Sequence, residues 1–170
     1  MQKSTDPRNV KSLWTKTFLF IALVGIGVIL DRILKYFAAN KLPNTELFVF
    51  PKYFGFILHK NLGIAFGIHL PVALIVIAGI VILAVVGLVA VYSLRHRMLD
   101  WFYPLTLIFA GGASNLYDRI AYGHTIDYFY LWPYSFFNIA DVLIITGCVI
   151  ILVHFIKSKK TLPAKAATRN

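Results

Sequence analysis

Long apolar stretches separated by short polar ones set the pattern of this chain. The first follows a polar, basic start with Lys3, Arg8, Lys11 and Lys16, and covers about 17–39, with Asp31, Arg32 and Lys35 near its far end. At about 1.5 Å per residue it is long enough to cross a hydrocarbon layer of about 30 Å. A cleaved leader would have a shorter apolar region ending at small residues, so the pattern predicts an uncleaved first span. Further spans are predicted over about 70–92, 101–117 and 136–156. Residues 40–69 change character. Pro43 and Asn44 open a turn, and Glu46–Phe50 and residues 53–59 are short aromatic and β-branched runs separated by Pro51. They predict a small extracytoplasmic sheet or hairpin lying on the membrane. Residues 118–135 read as a short outer connecting segment. The fold class expected is mainly α and integral to the membrane, with four transmembrane helices forming one domain over 1–170.

Composition strengthens the membrane reading. The chain is 59% hydrophobic and 14% charged, with mean hydropathy +0.74. A soluble domain is about 45–50% apolar and about 25% charged. The net charge of +10 would by itself suggest nucleic acid. The Lys and Arg residues cluster instead at the ends of apolar segments, where they orient the chain and meet headgroups. Membrane lipids are therefore expected as partners and nucleic acid is not. Four spans place both termini and the 93–100 turn on one side, with eleven Lys and Arg against six on the other. That asymmetry predicts cytoplasmic termini. A lone Cys148 excludes an internal disulfide framework and a metal–thiolate site, and suits a small apolar side chain.

Candidate chemistry concentrates between Ala110 and Asp141, which holds three of the chain's seven acids. On this topology Asp31, Asp118 and Asp141 lie near the outer ends of spans one, three and four, with Asp127 in the connection between the last two. An Asp at the centre of a membrane helix costs about 2.5–3.5 kcal/mol, less near an end, so such groups face a bundle interior or a wet cavity. Asn115 and Asp118 share a helix face, as do Asn138 and Asp141, and Asp31 with Lys35 makes a structural ion pair at the favourable spacing. Two carboxylates sharing a proton can hydrolyse an amide, one ionised and activating water, the other protonated and polarising the carbonyl. The same residues also suit a proton or ion pathway, or a polar network that only pins helices together. Residue types alone leave all three open. No His-Glu-x-x-His motif is present, against a zinc protease. A Ser114–His124 dyad is the weaker alternative, since Ser114 suits close helix packing. His59, His69 and His124 are read as interfacial, and Tyr117, Tyr122, Tyr128, Tyr130, Trp132 and Tyr134 as a headgroup-level aromatic segment.

Five blocks in order resemble the lipoprotein signal peptidase family, also called signal peptidase II, the membrane aspartyl peptidases of bacterial lipoprotein maturation. They are Asp31-Arg-Ile-Leu-Lys35, Asn61-x-Gly63-x-Ala65-Phe66, Gly111 with Asn115-Leu-Tyr-Asp118-Arg119, Ile126-Asp127-Tyr128-Phe129, and Phe137-Asn138-Ile-Ala140-Asp141. The resemblance implies that Asp127 and Asp141 are the catalytic pair. It implies that Asn61, Gly63, Asn115, Asp118, Arg119, Asn138 and Ala140 bind substrate or support the site. It further implies a substrate class of prolipoproteins with a diacylglyceryl-modified cysteine, cut just before that cysteine, with no metal or organic cofactor. The setting implied is a bacterial inner membrane, with the site near the outer face; a monomer is expected. The chain departs from the family pattern at Ser114, where Gly is usual, at Ile126 and Tyr128 around the loop Asp, and at Val142, where Ser often follows the last Asp.

Overall fold

The computed structural model describes residues 7–43, 45–63, 70–133 and 135–160. Lys3, Asn44, Ala65, Phe66, His69, Tyr134, Lys165 and Arg169 fall outside them. Among the described residues four helices are present: α1 (Pro7–Lys41), α2 (Val72–Arg95), α3 (Leu99–Tyr122) and α4 (Ile139–Lys160). α1 begins on a proline, whose fixed φ suits a first turn, and stops just before Leu42-Pro43. α3 ends at Gly123, whose φ of +76° is the left-handed cap that glycine adopts without strain.

Among the described residues three helical segments are long and apolar enough to cross a membrane: Lys11–Lys41, Val72–Arg95 and Ile139–Lys159. Only 6% of the most apolar window of α2 is buried within the protein. Leu74, Ile77, Ile80, Val81 and Leu88 all point outward. Water would not tolerate such a surface, and lipid satisfies it. α3 is as long as α2 but turns Ser114, Asn115 and Asp118 inward. It packs against each of the other helices. At Gly111 a Cβ would collide with the Ala140 carbonyl, so a missing side chain is what lets α3 and α4 come this close.

The β region is larger than a hairpin. β1 (Glu46–Phe50) and β2 (Phe54–Asn61) pair antiparallel, as residues 40–69 suggested. Residues expected to be only a connecting segment supply β3 (Thr125–Leu131), and β4 (Ser135–Phe137) takes in the first residues of the predicted fourth span, so that α4 begins only at Ile139; the result is one antiparallel sheet in the order β1-β2-β3-β4. β2 pairs with β3 so that His59 faces Asp127 and Asn61 faces Thr125, after an irregularity between Phe56 and His59. That pairing joins two segments separated by the whole of α2 and α3. Ala38, Leu42, Ile126 and Tyr128 form the buried cluster that seats the sheet against the end of α1.

Candidate active site

Four aspartates meet where the sheet caps the helices. Asp31 and Asp118 are fully buried, Asp127 is 1% exposed, and Asp141 is partly buried. They divide into two kinds of surroundings.

Asp31 and Asp118 are neutralised. Lys35 Nζ lies 3.0 Å from Asp31 Oδ2 and 2.8 Å from Asp118 Oδ2. Arg32 Nη2 donates to Asp118 Oδ1 at 2.6 Å. Asp31 also accepts from Ser114 Oγ (2.6 Å), the Tyr128 hydroxyl (3.0 Å) and the Ala140 N–H (3.3 Å). Asp118 accepts the Ile126 N–H at 3.2 Å. The expected Asp31–Lys35 contact is present but is one strand of a wider network. Ser114, read as a packing residue or half of a dyad with His124, is committed to Asp31. Tyr128, read as a headgroup-level aromatic, is fully buried. Alternation along β3 sends it to the face opposite Asp127, and burial holds its phenol well above its usual pKa, so it donates as a neutral group.

Asp127 and Asp141 are surrounded by amides. Asn138 caps α4: its Oδ1 accepts the Asp141 N–H at 2.9 Å, and Asp141 Oδ2 accepts the Asn138 N–H at 3.1 Å. This is the reciprocal capping box, with Asp in the place usually held by Glu. The same Asn138 donates through Nδ2 to Asp127 Oδ1 at 2.7 Å. One residue therefore bridges both carboxylates. Asn115 Nδ2 donates to Asp141 Oδ1 at 2.8 Å, and Asn61 Nδ2 to Asp127 Oδ2 at 3.0 Å. Asn61 Oδ1 accepts the Gly63 N–H, and the Gly63 carbonyl accepts from Arg119 Nη2 at 3.2 Å. Among the described residues no Lys or Arg is ion-paired with either carboxylate. Burial first, and then the charge of Asp141, push the Asp127 carboxyl up to about 7, against the opposing pull of the Asn61 and Asn138 amides and of Lys35.

Every site residue named from the sequence thus lies in this cluster, in one of its two halves. His59, read as interfacial, was missed. Its Nδ1 is 3.8 Å from Asp127 Oδ2, its ring stacks on Phe136 at 4.3 Å, and burial lowers its pKa, so it is neutral at pH 7. The available signal was its position two residues before Asn61, on the same face of a strand.

Beside Asp141 opens an apolar cavity of about 460 Å³ between α2, α3 and α4. Leu74, Ile75, Gly79, Leu83, Gly112, Leu116 and Ile144 line it, and Asn115, Arg119 and Asp141 supply its polar end.

The family model described as Signal peptidase (SPase) II matches residues 23–157. The chain belongs to the signal peptidase II family. Similar proteins include the lipoprotein signal peptidase of Chlorobaculum parvum, 35% identical over 155 residues that cover 79% of this chain and 94% of that one. That of Pseudomonas syringae pv. tomato is 33% identical over 162 residues, covering 88% and 91%. A solved bacterial membrane enzyme superposes with a TM-score of 0.74 at 25% identity, covering 91% of this chain and 95% of its own. Family and apolar helices together make the protein an integral membrane peptidase.

Proposed function

We propose that the protein removes signal peptides from diacylglyceryl-modified prolipoproteins, cutting just before the lipidated cysteine, by an aspartyl mechanism at Asp127 and Asp141. The observation that carries this reading is the Asn138 bridge, which holds two carboxylates in one frame while, among the described residues, no Lys or Arg is ion-paired to either. Close acids that cannot both ionise cheaply share one proton at working pH. Asp127, pushed up to about 7, holds it. Asp141, at the positive end of α4 and accepting two N–H donors, takes the carboxylate role in this reading.

In this reading the scissile carbonyl lies between the two. Asp141 takes a proton from water as the water oxygen bonds to the carbonyl carbon, and Asp127 gives its proton to the carbonyl oxygen. On collapse the C–N bond breaks, Asp127 recovers the hydroxyl proton and Asp141 passes its proton to the leaving nitrogen. The pair ends as it began, with one proton. The apolar cavity beside Asp141 suits acyl chains or the apolar part of a signal peptide, delivered from the bilayer. The β sheet suits the extended segment around the cut. The same reading makes α3 the fourth span and places both termini in the cytoplasm, supported by the excess of Lys and Arg at that end. The site then faces the outer leaflet of a bacterial inner membrane.

Purified protein incubated with a lipidated precursor peptide should release a fragment beginning at the modified cysteine. An unlipidated copy of the peptide should be cut far more slowly. Activity lost to a chelator and restored by added metal would overturn the aspartyl mechanism. Cleavage at another bond would overturn the substrate assignment.

A further inference from the structure

Lys35 is 1% exposed, an uncommon place for an ammonium group. Its three protons meet three acceptors: Asp31 Oδ2 at 3.0 Å, Asp118 Oδ2 at 2.8 Å and Asn115 Oδ1 at 2.8 Å. Asp31 shares α1 with Lys35, so an ion pair serving only to tie α1 to α3 would need Asp118 alone. The remaining contact on α3 goes to an amide, Asn115. An ammonium is a donor with no acceptor, so it admits only the oxygen end of the Asn115 amide. The nitrogen end must then face Asp141, where it donates to Oδ1 at 2.8 Å. A flipped Asn115 would set its NH2 against the ammonium and its carbonyl against the carboxylate, two repulsions in one move. Asn115 Oδ1 also accepts from Asn138 Nδ2 at 3.2 Å, the amide that donates to Asp127.

We infer that Lys35 is a positioning residue for peptide cleavage, fixing through Asn115 the carboxylate of Asp141 and lending the reacting pair a buried positive field. The inference rests on the aspartyl reading of Asp127 and Asp141. Charged and titratable groups surround that pair on every side: Asp31 and Arg32 from α1, Asp118 and Arg119 from α3, His59 from β2 and Tyr128 from β3. Lys35 is the cation among them that is both buried and bonded to an amide held by the pair. A fixed positive charge favours the ionised form of nearby carboxylates, and Lys35 acts in that sense on Asp127. Without it the doubly ionised, inactive pair forms only at higher pH.

The test compares three folded, detergent-purified enzymes by initial rate against pH on a lipidated precursor peptide. In Lys35→Met/Asp118→Asn one charge of each sign is removed, so the net charge of the cluster is unchanged, with Asp31 still beside Arg32. We expect kcat to fall about 10²-fold, the effect of a small misplacement of a reacting group, with KM within about twofold. The alkaline limb should move to higher pH. Lys35→Arg keeps the charge but replaces a compact ammonium with a flat fork. It should lower kcat while leaving the limb in place. Wild-type kcat and an unmoved limb in the folded fraction of the double variant would overturn the inference and leave Lys35 a helix tie. If the double variant does not fold, wild-type kcat in Lys35→Arg overturns it instead. Asp127→Asn and Asp141→Asn run in parallel: if these still cleave, the aspartyl reading has failed, whatever Lys35 does.

Discussion

Two pairs of aspartates stand side by side, alike in residue type, and differ in what touches them. Asp31 and Asp118 accept from Lys35, Arg32, a serine, a tyrosine and backbone N–H groups. Asp127 and Asp141 accept from three asparagines and one backbone N–H. A cation ties a carboxylate into an ion pair. An amide orients a carboxylate without fixing its charge. In the proposed reaction the first pair is structural and the second moves the proton. Burial alone makes an acid conspicuous; the identity of its partners sorts structure from chemistry.

The sharpest way to break this comparison is to neutralise each pair in turn. Asp127→Asn and Asp141→Asn should each lower cleavage by about 10²–10⁴-fold or more, the usual share of general acid–base catalysis. The folded yield should stay near wild type, because no cation loses its partner. Rates on a lipidated peptide, with thermal melts as the folding control, check both halves. Near wild-type turnover in either variant would sink the dyad.

Asp31→Ala should do the reverse. It strips Lys35 of one carboxylate and leaves the Ser114 and Tyr128 hydroxyls without their acceptor. Removing one member of a buried pair costs about 3–5 kcal/mol, so the amount of folded protein should fall further than turnover per folded molecule. A stable but inactive Asp31→Ala protein would move Asp31 into the reacting set.

The pH profile sharpens the distinction without mutation. Asp127 is protonated below about 7 and ionised above it. If the active form holds one proton on the pair, cleavage is lost as pH rises through about 7, and again at low pH when the second carboxyl is protonated. The limbs belong to the pair rather than to one residue. A rate that keeps rising well above neutrality would contradict a shared proton.

The smallest effect is expected at the edge of the pair. Asn61→Ala removes one donor from Asp127 Oδ2. Losing one hydrogen bond, about 1 kcal/mol, corresponds to about fivefold in rate. Because that amide favours the ionised Asp127, its loss should also shift the alkaline limb to higher pH. A downward shift would mean that Asn61 acts through something other than Asp127.

The local signals in the sequence were strong where a single segment carries the physics. Apolar runs of membrane length predict helices, because backbone groups in lipid must bond within their own segment. Asn115 and Asp118, three apart on a helix, predict a shared face; Asn138 and Asp141 were read the same way, but Asn138 stands just before α4 as its cap. The resemblance names the two aspartates of the proposed reaction. What remained hidden is what arises only between distant segments. Pairing of β2 with β3 brings Asn61 and His59 to Asp127 across two intervening helices. Gly111 lets α3 approach α4 closely enough for Asn115 to reach Asp141. Lys35, four residues from Asp31, looked like a local ion pair, yet two of its three contacts lie on α3. Sequence spacing fixes which side chains share a face of one element. Which face meets which depends on packing every element at once, and that packing decided which two of the four acids were left without a cation.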